Sequence, residues 1–365
     1  MKERIITYQK NTVQVIVTDC GPCSYVRWRN WAHIMNAVCN GVANIVVTST
    51  PMLDDYTLSH TATAIVARPV TNENSYFVRS LAEKKMKYGY KVMVDIDDIL
   101  FDLQGRNPIP SFNQFKTDPF EVGNIMDSCF DYADGVIVTN EFLKACVESR
   151  FNDMRGKIEV FENFIPTSMF MDFHAKNGHG KKIDIVYGGA ANHFTKDNPG
   201  DLEGPWIDAI DILQRTGKFT FSIFGSDAGP FDNKKTLVKR YVNAAQWPSV
   251  ISRMAPDVYI GPLVDHPFNR CKSDLKFIES CAIGSAFVGS YFNDSPYRNA
   301  FLHVTKHTSA NELAESIDSL RDVKTIEEIV SKQKNYLLHN NRTMESKKAQ
   351  DRFMKLVFHK YLEIL

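Results

Sequence analysis

Short β-branched and apolar runs alternate with helix-patterned stretches along almost the whole chain. Runs at 13–18, 44–48, 64–67, 91–94, 135–139 and 158–161 read as strands. Helical patterns at 25–38, 75–88, 120–132 and 141–149 lie between them. A polar, basic, glycine-containing stretch at 174–182 interrupts the pattern. Strands at 183–187, 220–224, 258–260 and 286–289 then resume it, with helical patterns at 205–214, 310–320, 326–338 and 346–365. Such alternation predicts an α/β fold with parallel, doubly wound sheets. The break at 165–180 predicts two domains, 1–170 and 171–340, with a final helical segment at 341–365.

Charge excludes little and directs nothing globally. Lys and Arg total 43, matched by 43 Asp and Glu, so there is no overall pull toward nucleic acid or membrane. Seven cysteines are scattered. Cys20 and Cys23 form a C-x-x-C with no second pair or histidine pair, so reduced thiols are expected, with neither a structural disulfide nor a metal site. The N-terminus lacks a long apolar core followed by a small-residue cleavage site, and no apolar run is long enough to span a membrane. A soluble, cytoplasmic protein is expected.

The segment 261–290 carries the chemistry. An apolar strand ends near Ile260, Lys272 follows in a loop, and a helix with Leu275, Ile278 and Ala282 inward stops at Gly284. A helix N-terminus favours an anion such as a diphosphate, and Lys272 adds a full charge there. Glu279 lies seven residues on, expected two turns away on the same helical face, where a carboxylate can accept ribose hydroxyls. Alone, the pair reads more readily as a surface lysine and glutamate on an amphipathic helix.

The longer string resembles the donor-site segment of retaining GT-B glycosyltransferases of the glycogen-synthase-like kind, the group 1 or family 4 type. The matching residues are Pro262, Leu263, Phe268, Asn269, Lys272, Ser273, Leu275, Lys276, Glu279 and Gly284. Two positions depart: Cys271 stands where many members have a glutamate, and Ala286 replaces the usual proline. The resemblance implies two Rossmann-like domains facing a central cleft, with a terminal helix returning to the first. It also makes Gly188, Gly189 and His193, in the loop after the 183–187 strand, a glycine loop for the sugar diphosphate. Asn269, Lys272, Ser273, Leu275 and Glu279 complete the implied donor site. Lys196 and Asp197 follow that loop closely, and Asp197 echoes an aspartate of the family.

The first half resembles phage-type members of these enzymes. Gly21, Cys23, Tyr25 and Arg27 match their first loop, and Asp95, Asp97 and Asp98, followed by Phe101, match an aspartate cluster at a strand end. Loops after strand C-termini line the ligand crevice of a doubly wound domain. Cys23, Tyr25, Arg27 and Asp95 are therefore acceptor-side candidates, and Asp97 and Asp98 catalytic ones with Lys272. Arg27 is equally a surface arginine, and Asp97 or Asp98 can instead cap a helix. An Asp-x-Asp can also hold a divalent ion beside a diphosphate, but the GT-B resemblance implies no metal. The 105–119 stretch, rich in Pro, Asn and Gly, reads as a long binding loop or lid.

The resemblance thus implies transfer of a sugar from a nucleotide diphosphate sugar, a UDP-sugar, to a hydroxyl with retention, and no further cofactor. Closure of the cleft would limit donor hydrolysis. The acceptor reading is a hydroxymethylated base in double-stranded phage DNA, reached by base flipping, with Lys84, Lys85, Lys87, Lys91, Arg106 and Lys116 against phosphates. A glycan or small molecule is the alternative. A non-catalytic nucleotide-sugar- or DNA-binding module is the reading from a different class.

Overall fold

The computed structural model describes residues 10–17, 21–99, 101, 119–170, 182–189, 193–194, 199–225, 231, 236–239 and 242–358. Cys20, Arg106, Lys116, Lys196, Asp197, most of the 105–119 loop and the 171–181 part of the linker lie outside the described residues. The chain divides into two compact units. The first takes in the described residues up to 101, 119–162 and 344–358; the second takes in those from 163 to 343.

The first unit is built on a six-stranded sheet. Its strands are β1 (Thr12–Val17), β2 (Asn44–Thr48), β3 (Thr61–Ala67), β4 (Lys91–Ile96), β5 (Gly135–Val138) and β6 (Ile158–Val160), in the order β2-β1-β3-β4-β5-β6. Every pairing is parallel. All seven residues of β3 are buried, as expected of a central strand covered on both faces. The helix Asn72–Tyr88 starts in a capping box between Thr71 and Asn74 and stops at Gly89, whose φ of +69° suits a left-handed cap. The helix Lys347–Phe358 belongs to this unit, and its Phe353 stacks on Trp31 with ring centroids 4.6 Å apart.

The second unit has its own six-stranded parallel sheet, ordered β12-β11-β10-β7-β8-β9. The strands are β7 (Ile183–Gly188), β8 (Phe219–Phe224), β9 (Thr236–Lys239), β10 (Val258–Gly261), β11 (Ala286–Ser290) and β12 (Leu302–Val304). Alternate residues feed two apolar layers. Ile185, Ile260 and Val288 pack with Ile210 and Leu313. Val186, Tyr259 and Phe287 pack with Phe277 and Ile278. Both sheets are doubly wound. In the first, the chain turns back across β1 between β2 and β3; in the second, it crosses β7 between β9 and β10. Ligands of such sheets bind beyond the strand C-termini at these reversals.

Some local expectations change. The first helix begins before 25, at Pro22–Ser24, and passes through a π-turn, Tyr25–Arg29, into Asn30–Cys39. Trp28, Trp31, Ile34 and Met35 are buried as the pattern implies, but Val38 is exposed. The helix Leu275–Ile283 is not amphipathic: none of its nine residues is exposed.

Candidate active site

In the second unit, the predicted donor residues gather at the C-terminal ends of β7 and β10. Gly188 ends β7, and a Cβ there would stand 2.7 Å from both the Trp247 ring and the Tyr259 hydroxyl. A Cβ on Gly189 would collide with the Tyr187 hydroxyl. Both glycines are thus required by close packing of aromatic side chains over the strand end.

Trp247 and Tyr259 converge on Glu279. Trp247 Nε1 donates to Oε1 and Tyr259 Oη to Oε2, each at 3.1 Å. Glu279 is 6% exposed. Burial pushes its carboxyl up to about 7, against the two hydrogen bonds and the charge of Lys276. Each oxygen keeps lone-pair capacity beyond its one protein donor.

Lys272 does not share a helical face with Glu279. The helix begins at Leu275, and Lys272 lies in the preceding turn, its Nζ 4.5 Å from the centre of the Phe268 ring. The backbone satisfies its own groups here through the short helix Pro267–Arg270, which displaces the start of the longer helix. Lys276 is the lysine one turn before Glu279, with its Nζ 5.6 Å from the centre of the Tyr187 ring.

His193, Asp201 and Asn269 form a buried chain. His193 Nδ1 meets Asp201 Oδ2 at 2.6 Å, and Asn269 Nδ2 donates to Asp201 Oδ1 at 2.8 Å. Burial and the charges of Lys276 and Lys272 lower His193 to about 4, against Asp201. For Asp201, burial opposes ionisation, yet hydrogen bonds from His193 and Asn269 and the charge of Lys272 hold its carboxyl below the usual value. Within this cluster, among the described residues, two buried polar atoms have no hydrogen-bond partner: Tyr187 Oη and Asn269 Oδ1. Native proteins rarely strand such atoms, and each calls for an explanation such as a catalytic role or a bound water or ion.

Ser273 is tied down instead. Its Oγ accepts from Asn163 Nδ2 at 2.7 Å, and beside it Arg342 grips Asp274 with two bonds of 2.7 and 2.8 Å. Arg342 also donates to the Asn163 carbonyl. This network fixes the start of the helix. Leu275 is half-buried against the apolar layer. Cys271, at the position of the family glutamate, is fully buried.

In the first unit, the acceptor-side candidates also lie at the sheet's reversal. A small cavity beyond β1, β3 and β4 is lined by Val17, Cys23, Ser24, Arg27, Arg68 and Asp95, among others. Arg27 is neither a surface residue nor an open anion contact. It is 3% exposed, with Nη2 2.6 Å from Asp95 Oδ1 and Nη1 2.5 Å from the Phe161 carbonyl. Trp28 Nε1 donates to Asp95 Oδ2 at 2.9 Å. The π-turn brings the adjacent residues Arg27 and Trp28 to one carboxylate. Tyr25 is half-buried under the Arg29 guanidinium, 5.5 Å from its ring centre.

Arg68 is the residue that pattern reading missed. It follows β3 directly, has a φ of +48°, and reaches Cys23 Sγ at 2.6 Å and Asp97 Oδ2 at 3.3 Å. Burial, reinforced by Asp97 and Asp98 against Arg68, pushes the Cys23 thiol well up. Asp97 is buried with Oδ1 unpartnered, whereas Asp98 is half-buried. A charged residue closing an apolar run at a strand C-terminus was the available signal for Arg68.

This architecture is the GT-B fold. A glycosyltransferase from Rickettsia africae ESF-5 aligns over 98% of this chain and 100% of its own, with a TM-score of 0.60 and 11% identity. Anabaena HepE, in a crystal structure with UDP and glucose, aligns over 98% and 100%, with a TM-score of 0.58 and 11% identity. TarM aligns over 83% of this chain and 55% of its own, with a TM-score of 0.51 and 12% identity. No protein-family model and no curated protein matches the sequence. Among the described residues, no helix is long and apolar enough to cross a membrane.

Proposed function

We propose that this protein is a glycosyltransferase that moves a sugar from a UDP-sugar to an acceptor hydroxyl with retention of anomeric configuration. The observation that carries this reading is the cluster at the ends of β7 and β10, on a GT-B fold. There Lys272 and Lys276 act on one buried histidine–aspartate pair, beside the two glycines and Glu279. The lysines suit the diphosphate. Glu279, oriented by Trp247 and Tyr259, takes the ribose hydroxyls on its remaining lone pairs. Anabaena HepE, similar in fold, was crystallised with UDP-glucose.

In this reading the bond from the anomeric carbon to the diphosphate oxygen breaks, and one to the acceptor oxygen forms. Negative charge grows on the leaving diphosphate, where Lys272 stabilises it more than in the ground state. On the first unit, the unpartnered Oδ1 of Asp97 is the acceptor for an alcohol hydrogen, and Asp98 lies next to it in sequence.

For the acceptor, a glycan or small-molecule alcohol is favoured over hydroxymethylated DNA. Lys85 and Lys87, two of the six basic residues expected against phosphates, pair with Asp134 and Asp55. The test is a screen of labelled nucleotide sugars for UDP release, followed by transfer to glycan alcohols and to hydroxymethylated duplex DNA. Product from DNA alone, with binding that weakens steeply with salt, reverses the acceptor assignment. Absence of turnover and of binding with every nucleotide sugar removes the function. The anomeric configuration of the product, read by NMR, decides retention.

A further inference from the structure

The histidine of the donor cluster has a definite proton arrangement. Asp201 is fully buried and ionised, so its two oxygens can only accept hydrogen bonds. Asn269 supplies the hydrogen to Oδ1. The 2.6 Å contact at Oδ2 therefore requires that the proton of His193 sit on Nδ1. Among the described residues this is the imidazole's one hydrogen bond, so Nε2 presents a lone pair. Two lysine charges nearby oppose a second proton on the ring. A cationic histidine would serve a phosphate; a neutral one with a free lone pair serves a hydrogen-bond donor, and a sugar offers hydroxyls.

We propose that His193 is a neutral hydrogen-bond acceptor for a hydroxyl of the transferred sugar, with Asp201 as the positioning residue that holds its proton on Nδ1. This rests on the reading of the cluster as a nucleotide-sugar site. It separates the tasks within that site. The lysines meet the diphosphate, and the imidazole that both charges act on reads the sugar. Asn269 acts through Asp201 by occupying its second oxygen.

The imidazole 15N shifts of the wild-type protein at pH 7 read the tautomer directly and need no substitution. The neutral Nδ1-protonated form is expected, and a cationic or Nε2-protonated ring overturns the proposal. Titrations with UDP, UDP-glucose and UDP-N-acetylglucosamine then read the ligand contact. His193→Ala is expected to weaken the better-bound sugar nucleotide roughly fivefold, the worth of one neutral hydrogen bond, and to leave UDP unchanged. Equal weakening of UDP and sugar nucleotide overturns it. His193→Gln, whose amide oxygen can stand near the Nε2 position, is expected to recover part of the loss. Asp201→Asn leaves one acceptor oxygen for two donors, so His193 is expected to shift toward the Nε2-protonated tautomer and lose its preference for sugar nucleotide over UDP. If Asp201→Asn does not fold, the wild-type tautomer and the His193 titrations decide. A wild-type protein that binds neither UDP nor any sugar nucleotide defeats the donor-site reading and the sugar contact with it, while the tautomer result stands separately.

Discussion

Arg27 and Asp95 form a buried ion pair of 2.6 Å, 3% and 1% exposed, at the point where β1, β3 and β4 end. Asp95 also accepts from Trp28, and Arg27 also donates to the Phe161 carbonyl. This pair organises the first unit's strand ends and leaves little of either residue for an acceptor. Removing one partner of such a pair leaves an uncompensated charge. Arg27→Met is expected to cost about 3–5 kcal/mol of stability, measured by denaturant unfolding. Arg27→Met combined with Asp95→Leu is expected to cost less than the sum of the two. A single substitution as stable as wild type would show that the pair contributes nothing.

His193 and Glu279 are expected to tilt stability in opposite directions with pH. His193, lowered from 6.5 to about 4 by burial, Lys276 and Lys272 against Asp201, favours its neutral form in the fold. Its contribution is present above 6.5 and lost as pH falls through about 4. Glu279, raised from 4.5 to about 7 by burial, against Trp247, Tyr259 and Lys276, favours its protonated form. Its contribution is present below 4.5 and lost as pH rises through about 7. Between these limits the two slopes largely cancel. Glu279→Gln should expose a protein that loses stability as pH falls from 6.5 toward 4, and His193→Gln one that loses it as pH rises from 4.5 toward 7. Each effect is about 3 kcal/mol at most, from a shift of roughly two and a half pH units. Melting curves across pH 4–8 check both signs, and parallel profiles for the three proteins would contradict them.

Gly188 should tolerate no side chain. Its Cβ would meet Trp247 and Tyr259, the two donors that orient Glu279. Gly188→Ala is expected to destabilise by about 1–3 kcal/mol through overpacking and to weaken UDP binding. Near-UV circular dichroism should report the displaced tryptophan. An alanine variant with wild-type affinity and spectrum would mean that the strand end has room to give.

Much of this was legible before any coordinates, and the exceptions have physical causes. All six strands of the first unit show in the sequence because buried β-branched runs such as the 61–67 segment differ sharply from the helices beside them. The edge strands β9 and β12 do not show. One has only four residues with alternate ones exposed, and the other has three. At the site, the glycine pair, His193 and Asn269 lie in or beyond the ends of β7 and β10, and Glu279 reaches them from the helix Leu275–Ile283. Tyr187, Asp201, Trp247 and Tyr259 carry no motif of their own. They matter only through side chains that meet after folding. Spacing alone puts Lys272 and Glu279 on one helix, but the turn at 271–274 intervenes. Spacing cannot anticipate that the ion pair of Arg342 with Asp274 fixes the later helix start.

The turn position of Lys272 sharpens the expected effect of its removal. It does not share Glu279's helical face, so the two should respond independently. Lys272 stands where its charge acts on His193 and Asp201, at the proposed diphosphate end. Its interaction strengthens as charge moves onto the leaving group, so Lys272→Ala should lower kcat a hundredfold or more, roughly 3 kcal/mol, with a smaller change in donor Kd. In the proposed reading Glu279 meets the ribose, which changes little during reaction. Glu279→Ala should therefore raise donor Kd roughly tenfold to a hundredfold, about 1.5–3 kcal/mol, and affect kcat less. Removing Lys272 also removes one of the charges that keep His193 deprotonated, so the pKa of that histidine should rise, as read by imidazole NMR. Single-turnover rates with donor binding measured separately distinguish the two substitutions. Equal losses of affinity with unchanged kcat in a folded Lys272→Ala protein would make this lysine a binding residue with no part in bond cleavage.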